Sequence, residues 1–237
     1  MTRRKPTTRA VAEVAKFTAE AALAAAQRTL VFSEIRRIDA EAKMAEEELA
    51  AHLATDGSHC IYRLVGEINS DSVTDCQQHL AEWHRRYPGR ELEVVFSSPG
   101  GYLFDGMALF DYLRQLSGAG HRIVTGSEGW SASMAGILLQ AGDHRWIGAQ
   151  SWLMLHEGSL FIDGYAPVFR VGDEYRFNER AQERILRIFA ARSKGRVTIE
   201  FLREQMHRTD WYLEPVEALG LGLVDEIRGL LPEPGRP

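Results

Sequence analysis

Residues 129–136 read Gly-Trp-Ser-Ala-Ser-Met-Ala-Gly, which sets Ser131 and Ser133 at the start of an apolar segment. A serine at a helix start sits where backbone N–H groups converge and the macrodipole favours negative charge. An alkoxide or tetrahedral oxyahion-type charge would be stabilised there, although small residues in such a place also serve close packing. His156 ends the apolar run Ser-Trp-Leu-Met-Leu-His and delivers an imidazole to the edge of a sheet, where a purely structural role is the plain alternative. Asp210, in Arg-Thr-Asp-Trp-Tyr, is a lone acid before an apolar pair, and by itself reads as a surface-loop carboxylate. Residues 97–107, Ser-Ser-Pro-Gly-Gly-Tyr-Leu-Phe-Asp-Gly-Met, end a strand in two glycines that leave backbone N–H groups uncovered, as an oxyanion site or a simple turn would. A serine nucleophile needs a base within hydrogen-bond reach and an acid to fix that base's tautomer. Serine, histidine, aspartate and a glycine turn would therefore suffice for acyl transfer, provided the fold assembles them.

Other chemistry finds less support. No GxxxxGK[ST] run occurs, which argues against ATP hydrolysis by this chain. Cys60 and Cys76 are the only cysteines, without a CxxC or ligand-spaced histidines. That pattern points to a reducing compartment, no disulfide framework and no structural zinc; no metal or organic cofactor is expected. The net charge of −5 gives no reason to expect nucleic acid as a partner. The basic start Thr-Arg-Arg-Lys-Pro lacks an apolar export core behind it, because Ala-Ala-Leu-Ala-Ala-Ala (21–26) lies between Glu20 and Gln27. No run approaches the roughly 18 apolar residues of a membrane span. A cytosolic protein without membrane contact is expected.

The elements that must position these residues follow from periodicity. Residues 10–52 contain no glycine or proline and carry a narrow seam including Phe17, Val31, Ile35, Ile38 and Leu49, which predicts one or two long helices. This arm, 1–55, is read as separate from a body over 56–230, with a disordered tail at 231–237. Within the body, strands are expected at 60–66, 91–98 and 121–127, with one or two more in 145–158 and a last one at 223–227. Helices are expected over 70–87, 106–116, about 133–141 and 173–195, with short ones at 197–206 and 214–222. Such alternation implies an α/β fold with a mostly parallel sheet. In sheets of that kind, reacting groups gather at the strand C-terminal ends.

Four blocks taken together resemble a known family: Ser-Ser-Pro-Gly-Gly-Tyr-Leu-Phe-Asp-Gly-Met, Ala-Ser-Met-Ala-Gly, Trp-Leu-Met-Leu-His-Glu-Gly and Arg-Thr-Asp-Trp-Tyr-Leu-Glu-Pro-Val-Glu-Ala-Leu-Gly-Leu-Gly-Leu-Val-Asp-Glu-Ile. In order and approximate spacing, from about residue 60 to 228, they are similar to the Clp protease proteolytic subunit, a serine peptidase of the ClpP/crotonase fold. The resemblance implies repeated β-β-α and βα units and a Ser–His–Asp triad of Ser133, His156 and Asp210. It also implies an oxyanion hole from the backbone N–H groups of Gly101 and Met134, with Ser131 left as a packing residue. Distant relatives of the fold use a Ser–Lys dyad, but Lys5, Lys16 and Lys43 lie in the arm and Lys194 near a helix end. His156 is the better base.

The implied protein is an endopeptidase acting through an acyl-enzyme on peptides or unfolded proteins, assembled as a homo-oligomeric ring. Family members work with an ATP-driven unfoldase. Here the short axial loop on which that partner docks is replaced by the helical arm. Glu157-Gly158 stands where the family usually has Gln-Pro, and residues 158–173 depart from its Gly-rich strand, which bears on ring-to-ring contacts. Two alternatives share the fold: a crotonase-class acyl-CoA enzyme and a non-catalytic, assembly-type subunit.

Overall fold

Along Leu92–Ser98 (β3) nearly every side chain is buried, as expected for a strand covered on both faces. This strand lies inside the sheet of a computed structural model of the chain, which describes residues 32–44, 55–56, 59–158 and 167–231. The chain divides into two units, Met1–Leu53 and Ala54–Pro237. In the first, residues 32–44 form a helix (α1) whose Phe32, Ile35, Ile38 and Met44 are exposed. The rest of the helix expected over the arm, and the tail beyond Leu231, lie outside the described residues.

The second unit continues with β1 (Thr55–Asp56), β2 (Ile61–Val65), α2 (Ser70–Arg86), β3, α3 (Leu103–Gly118), β4 (Ile123–Ala132), α4 (Met134–Leu139), β5 (His144–Gly148) and β6 (Trp152–Leu155). It closes with α5 (Val168–Arg192), α6 (Ile199–Met206), β7 (Trp211–Leu213), α7 (Pro215–Gly220) and β8 (Glu226–Arg228). The sheet runs β1-β2-β3-β4-β5-β8, and β6 branches from β4 and pairs onward with β7. All pairings are parallel except β1–β2 and β6–β7. This is the expected α/β architecture. Helix α2 starts at an Asn69 capping box, where the side chain takes the Asp71 and Ser72 N–H groups.

Two departures from the sequence expectation matter for the site. Strand β4 does not stop at Ser127 but runs to Ala132, with a register shift against β3 between Phe96 and Ser98. Its first half pairs with β5 and its second half, Trp130–Ala132, with β6. Where the halves meet, Glu128, Gly129 and Trp130 are exposed, and this break in the buried pattern hid the continuing strand. The second departure is β7, whose three residues are too few for alternation to be read. It turns the segment around Asp210 from a surface loop into a sheet edge.

The apolar core is backed by a buried ion pair. Arg145 is fully buried and donates to both Asp225 oxygens at 2.9 Å, to Gln140 Oε1 at 2.6 Å and to the Gly222 carbonyl at 3.0 Å. Gln140 is the C-cap of α4, so this network ties that helix to β5 and to the turn before β8. Burial would raise the Asp225 carboxyl, but hydrogen bonds from Arg145 and Lys194 and the guanidinium charge outweigh it and hold the group well below the usual carboxylate range. A group depressed in the folded state stabilises above its unfolded pKa, about 3.9, and loses that contribution as pH falls toward the folded value. Asp225→Asn, which leaves Arg145 buried without its counter-charge, is expected to cost about 3–5 kcal/mol at neutral pH. Denaturant titrations at pH 7 and at lower pH check this, and the variant should show a flatter acid limb than the wild-type chain below about pH 4.

Candidate active site

Ser133 joins a strand end to a helix start. Its N–H donates to the Met154 carbonyl at 2.8 Å, which extends the β4–β6 ladder, while its carbonyl accepts from Ile137 N–H at 3.3 Å. Meeting both demands with one residue puts it at φ 53°, ψ −119°, a region sparsely populated by residues with a side chain. Gly100 makes room for this turn. With φ at +100°, a Cβ on it would lie 2.7 Å from the Ser133 Cβ and 2.8 Å from the Ala132 carbonyl oxygen.

His156 follows β6 directly, and its Nε2 stands 2.7 Å from the Ser133 Oγ. Strand β7 runs antiparallel to β6 with Leu155 opposite Trp211, so one step further along the same register brings Asp210 opposite His156. The backbone therefore brings three of the expected residues to one strand end. The side chains close only part of the set. Asp210 is exposed, and among the described residues it forms no hydrogen bond or ion pair, nor does His156 Nδ1. Ser131 is fully buried, with its Oγ donating to Ser127 Oγ at 2.8 Å, which is a packing arrangement. Burial pushes the Cys76 thiol up, so it offers no competing nucleophile.

Two residues that line the same pocket have backbone N–H groups without a backbone acceptor among the described residues. Met134 is the first residue of α4, so its N–H has no intrahelical acceptor. At the glycine turn, Tyr102 N–H is taken by the Ile68 carbonyl, whereas Gly101 N–H has no acceptor among the described residues. Only glycine fits at 101, because a Cβ there would meet the Ile68 carbonyl oxygen at 2.0 Å. Gly101, Ser133, Met134 and His156 line one pocket of about 310 Å³. Its apolar wall is built by Ile137, Leu155, Ile185, Phe189 and Met206.

The sequence reading missed the residues that hold the segment after His156. Gly158 N–H donates to Gln182 Oε1 at 3.1 Å, and Asn178 Nδ2 donates to the Gly158 carbonyl at 3.1 Å. Glu157 reaches His207 Nδ1 at 3.2 Å and the Arg208 N–H at 3.5 Å, gripping the turn that leads to Asp210. Asn178, Gln182, Ile185 and Phe189 follow steps of four, three and four on α5, a single helix face that the spacing could have disclosed. Among the described residues, no group of three or more histidine, cysteine or acidic side chains could hold a metal ion, and no helix is long and apolar enough to cross a membrane.

Comparison with known proteins bears on this arrangement. The family model described as Clp protease matches residues 47–229. The chain is 30% identical over 166 residues to the ATP-dependent Clp protease proteolytic subunit 3 of Rhodococcus jostii (strain RHA1), covering 69% of this chain and 78% of that protein. It is 27% identical over 163 residues to the corresponding subunit 2 of Synechococcus sp. (strain CC9605), covering 68% and 78%. With the proteolytic subunit of Pleurastrum terricola it shares 27% identity over 176 residues, covering 71% and 86%.

The close approach of the glycine turn to Ser133 carries its own test. Gly100→Ala is expected to force the turn and the serine apart, with a strain of about 1–3 kcal/mol. Labelling of Ser133 by a fluorophosphonate should then slow by about tenfold or more, with a lower melting temperature. Gly118→Ala, where an added Cβ meets nothing within 4 Å, is the control and should change neither.

Proposed function

Because the chain belongs to the Clp protease family, and is in general terms a Clp-type serine protease, we propose that it is an endopeptidase in which Ser133 attacks the scissile carbonyl. His156 Nε2 takes the hydroxyl proton, and the Gly101 and Met134 N–H groups receive the developing oxyanion. Collapse of the tetrahedral intermediate releases the amine, which His156 protonates, and leaves an acyl-enzyme on Ser133. Water, deprotonated by His156, attacks the acyl carbon; the bond to Ser133 Oγ breaks, the peptide acid leaves, and His156 returns the proton to the serine oxygen. The observation that carries this reading is the 2.7 Å contact between His156 Nε2 and Ser133 Oγ beside two uncommitted backbone donors. For Nε2 to accept that proton, Nδ1 must carry the other one, and Asp210, opposite His156 in the register, is the acid proposed to hold it.

The pocket's apolar wall fits a medium-sized apolar side chain next to the scissile bond. The relatives' names describe them as proteolytic subunits, which supports action as one subunit of an oligomeric ring on peptides or unfolded proteins. The sequence has no P-loop, so cleavage of short peptides is proposed to proceed without nucleotide. One observation favours the non-catalytic, assembly-type reading: the Asp210 carboxylate is exposed and without a partner among the described residues.

Variants separate the two readings. Ser133→Ala should abolish both peptide hydrolysis and fluorophosphonate labelling, whereas Ser131→Ala leaves them largely intact. His156→Ala is expected to be nearly as damaging, because members of a triad act as a unit. Asp210→Asn should keep about 10–100-fold more activity than either, since it orients rather than transfers a proton. A wild-type chain that neither hydrolyses peptides nor labels at Ser133 would leave the assembly-type reading standing. Full activity in Asp210→Asn would remove that residue from the proposed set.

A further inference from the structure

Beside the Ser133 pocket lies a second cavity of about 300 Å³, between the start of α3 and the middle of α5. Leu103 and Ala181 line both cavities, so the two are neighbours that share a wall of two side chains. The second part is apolar within: Leu103, Met107 and Ala181 are half-buried. Two aromatic rings flank it, Phe104 from α3 and Phe177 from α5, with centroids 5.7 Å apart. Phe104 is 73% exposed and Phe177 41%, an unusual outlay of aromatic surface for two adjoining residues.

The charges around this cavity are equally uneven. Along α5 most arginines are matched: Arg170 with Glu174, Arg176 with Asp173, and Arg187 with Glu183, which also takes Arg203 from α6. Arg180 and Arg184 differ. Both are exposed, both line the cavity, and neither forms an ion pair or hydrogen bond with a described residue. With Phe177 and Ala181 they occupy positions i, i+3, i+4 and i+7 of one helix face. An apolar trough edged by two uncommitted guanidinium groups is complementary to a large apolar side chain with a carboxylate beside it.

We propose that this cavity is a second substrate subsite, which takes a bulky apolar side chain of the bound peptide together with an adjacent carboxylate. The wall shared with the Ser133 pocket points to the substrate peptide as the occupant, because an extended chain returns a side chain to the same face every second residue, about 6.6–6.8 Å along. The carboxylate is either an acidic side chain or the C-terminus of the peptide. The subsite rests on the peptidase reading of Ser133 and deepens it by naming a substrate class: segments in which a large apolar residue neighbours a negative charge.

The test uses the full chain carrying Ser133→Ala and fluorescent peptides read by anisotropy. Each peptide has a leucine for the Ser133 pocket and, two residues away, a phenylalanine followed by glutamate or by glutamine, with an amidated C-terminus. A third peptide ends at the phenylalanine as the free acid, and a fourth is its amide. The glutamate peptide, the free acid, or both should bind about five- to tenfold more tightly than their uncharged partners, and which pair shows it identifies the carboxylate. Arg180→Gln with Arg184→Gln should erase that preference, and Phe104→Ala should erase the advantage of phenylalanine over alanine at the same peptide position. Equal affinities within both pairs would overturn the proposal. So would a double arginine variant that changes the native mass but keeps the peptide preference, which would make the cavity a contact between copies. Fluorophosphonate labelling of the wild-type chain reports the peptidase reading separately: without labelling that reading fails, while a carboxylate preference lost in the arginine variant still establishes the subsite.

Discussion

The hydrogen bond from Ser133 N–H to the Met154 carbonyl is the constraint on which the rest of the site depends. It locks the end of β4 to β6 in parallel register, with Ala132 opposite Met154. Given that register, Ser133 leaves its strand one residue after the last pair, and His156 leaves its own two residues after. The antiparallel β6–β7 ladder then carries the alignment one strand further, to Asp210. None of the three residues is near another in sequence. A slip of one residue in either ladder would turn each side chain to the opposite face and dissolve the arrangement.

Holding Ser133 at positive φ costs on the order of 1–3 kcal/mol, and such a conformation persists only where its surroundings over-determine it. Here the surroundings act from three sides. The ladder bond fixes its N–H, the first turn of α4 fixes its carbonyl, and Gly100 lets the glycine turn come close without a side chain between. Behind α4, the Arg145 guanidinium spends its hydrogen bonds on Gln140, Gly222 and Asp225. A buried ion pair of this kind adds little net stability over an apolar equivalent, but it is exacting about geometry. It sits at the C-terminal end of the helix whose N-cap is Ser133, and so fixes the far end of that helix.

What could be read from the sequence divides along physical lines. Long elements with strong periodicity, such as α2, α3 and β3, lie where apolar spacing and the capping residues put them. The glycine turn, Ser133 and His156 were legible as candidates because their residue types are unusual for strand ends, and the structure brings Ser133 and His156 into contact. The continuation of β4 was not, since Glu128, Gly129 and Trp130 are exposed at the register shift and interrupt the buried pattern. Nor was β7, a three-residue strand stabilised by its partner rather than by any propensity of its own. Helix α5 begins at Val168, earlier than its charged periodicity suggests. Nothing local marks Asn178 and Gln182 on α5, because they gain their meaning only from Gly158, twenty or more residues away.

Those two contacts tie the segment after His156 and the wall of the Ser133 pocket to one helix. Asn178 and Gln182 hold the backbone just after His156, while Ile185 and Phe189, one to two turns further along the same face, form the wall against which a substrate side chain would rest. Glu157 adds a second tether, to the turn before Asp210. His156 and the apolar pocket therefore share a support. A packed helix moves as a body rather than residue by residue, so a displacement of α5 cannot reshape the pocket without also moving the anchor of His156. This chain holds its Glu157-Gly158 pair from outside, by side chains of α5 and by the turn after α6.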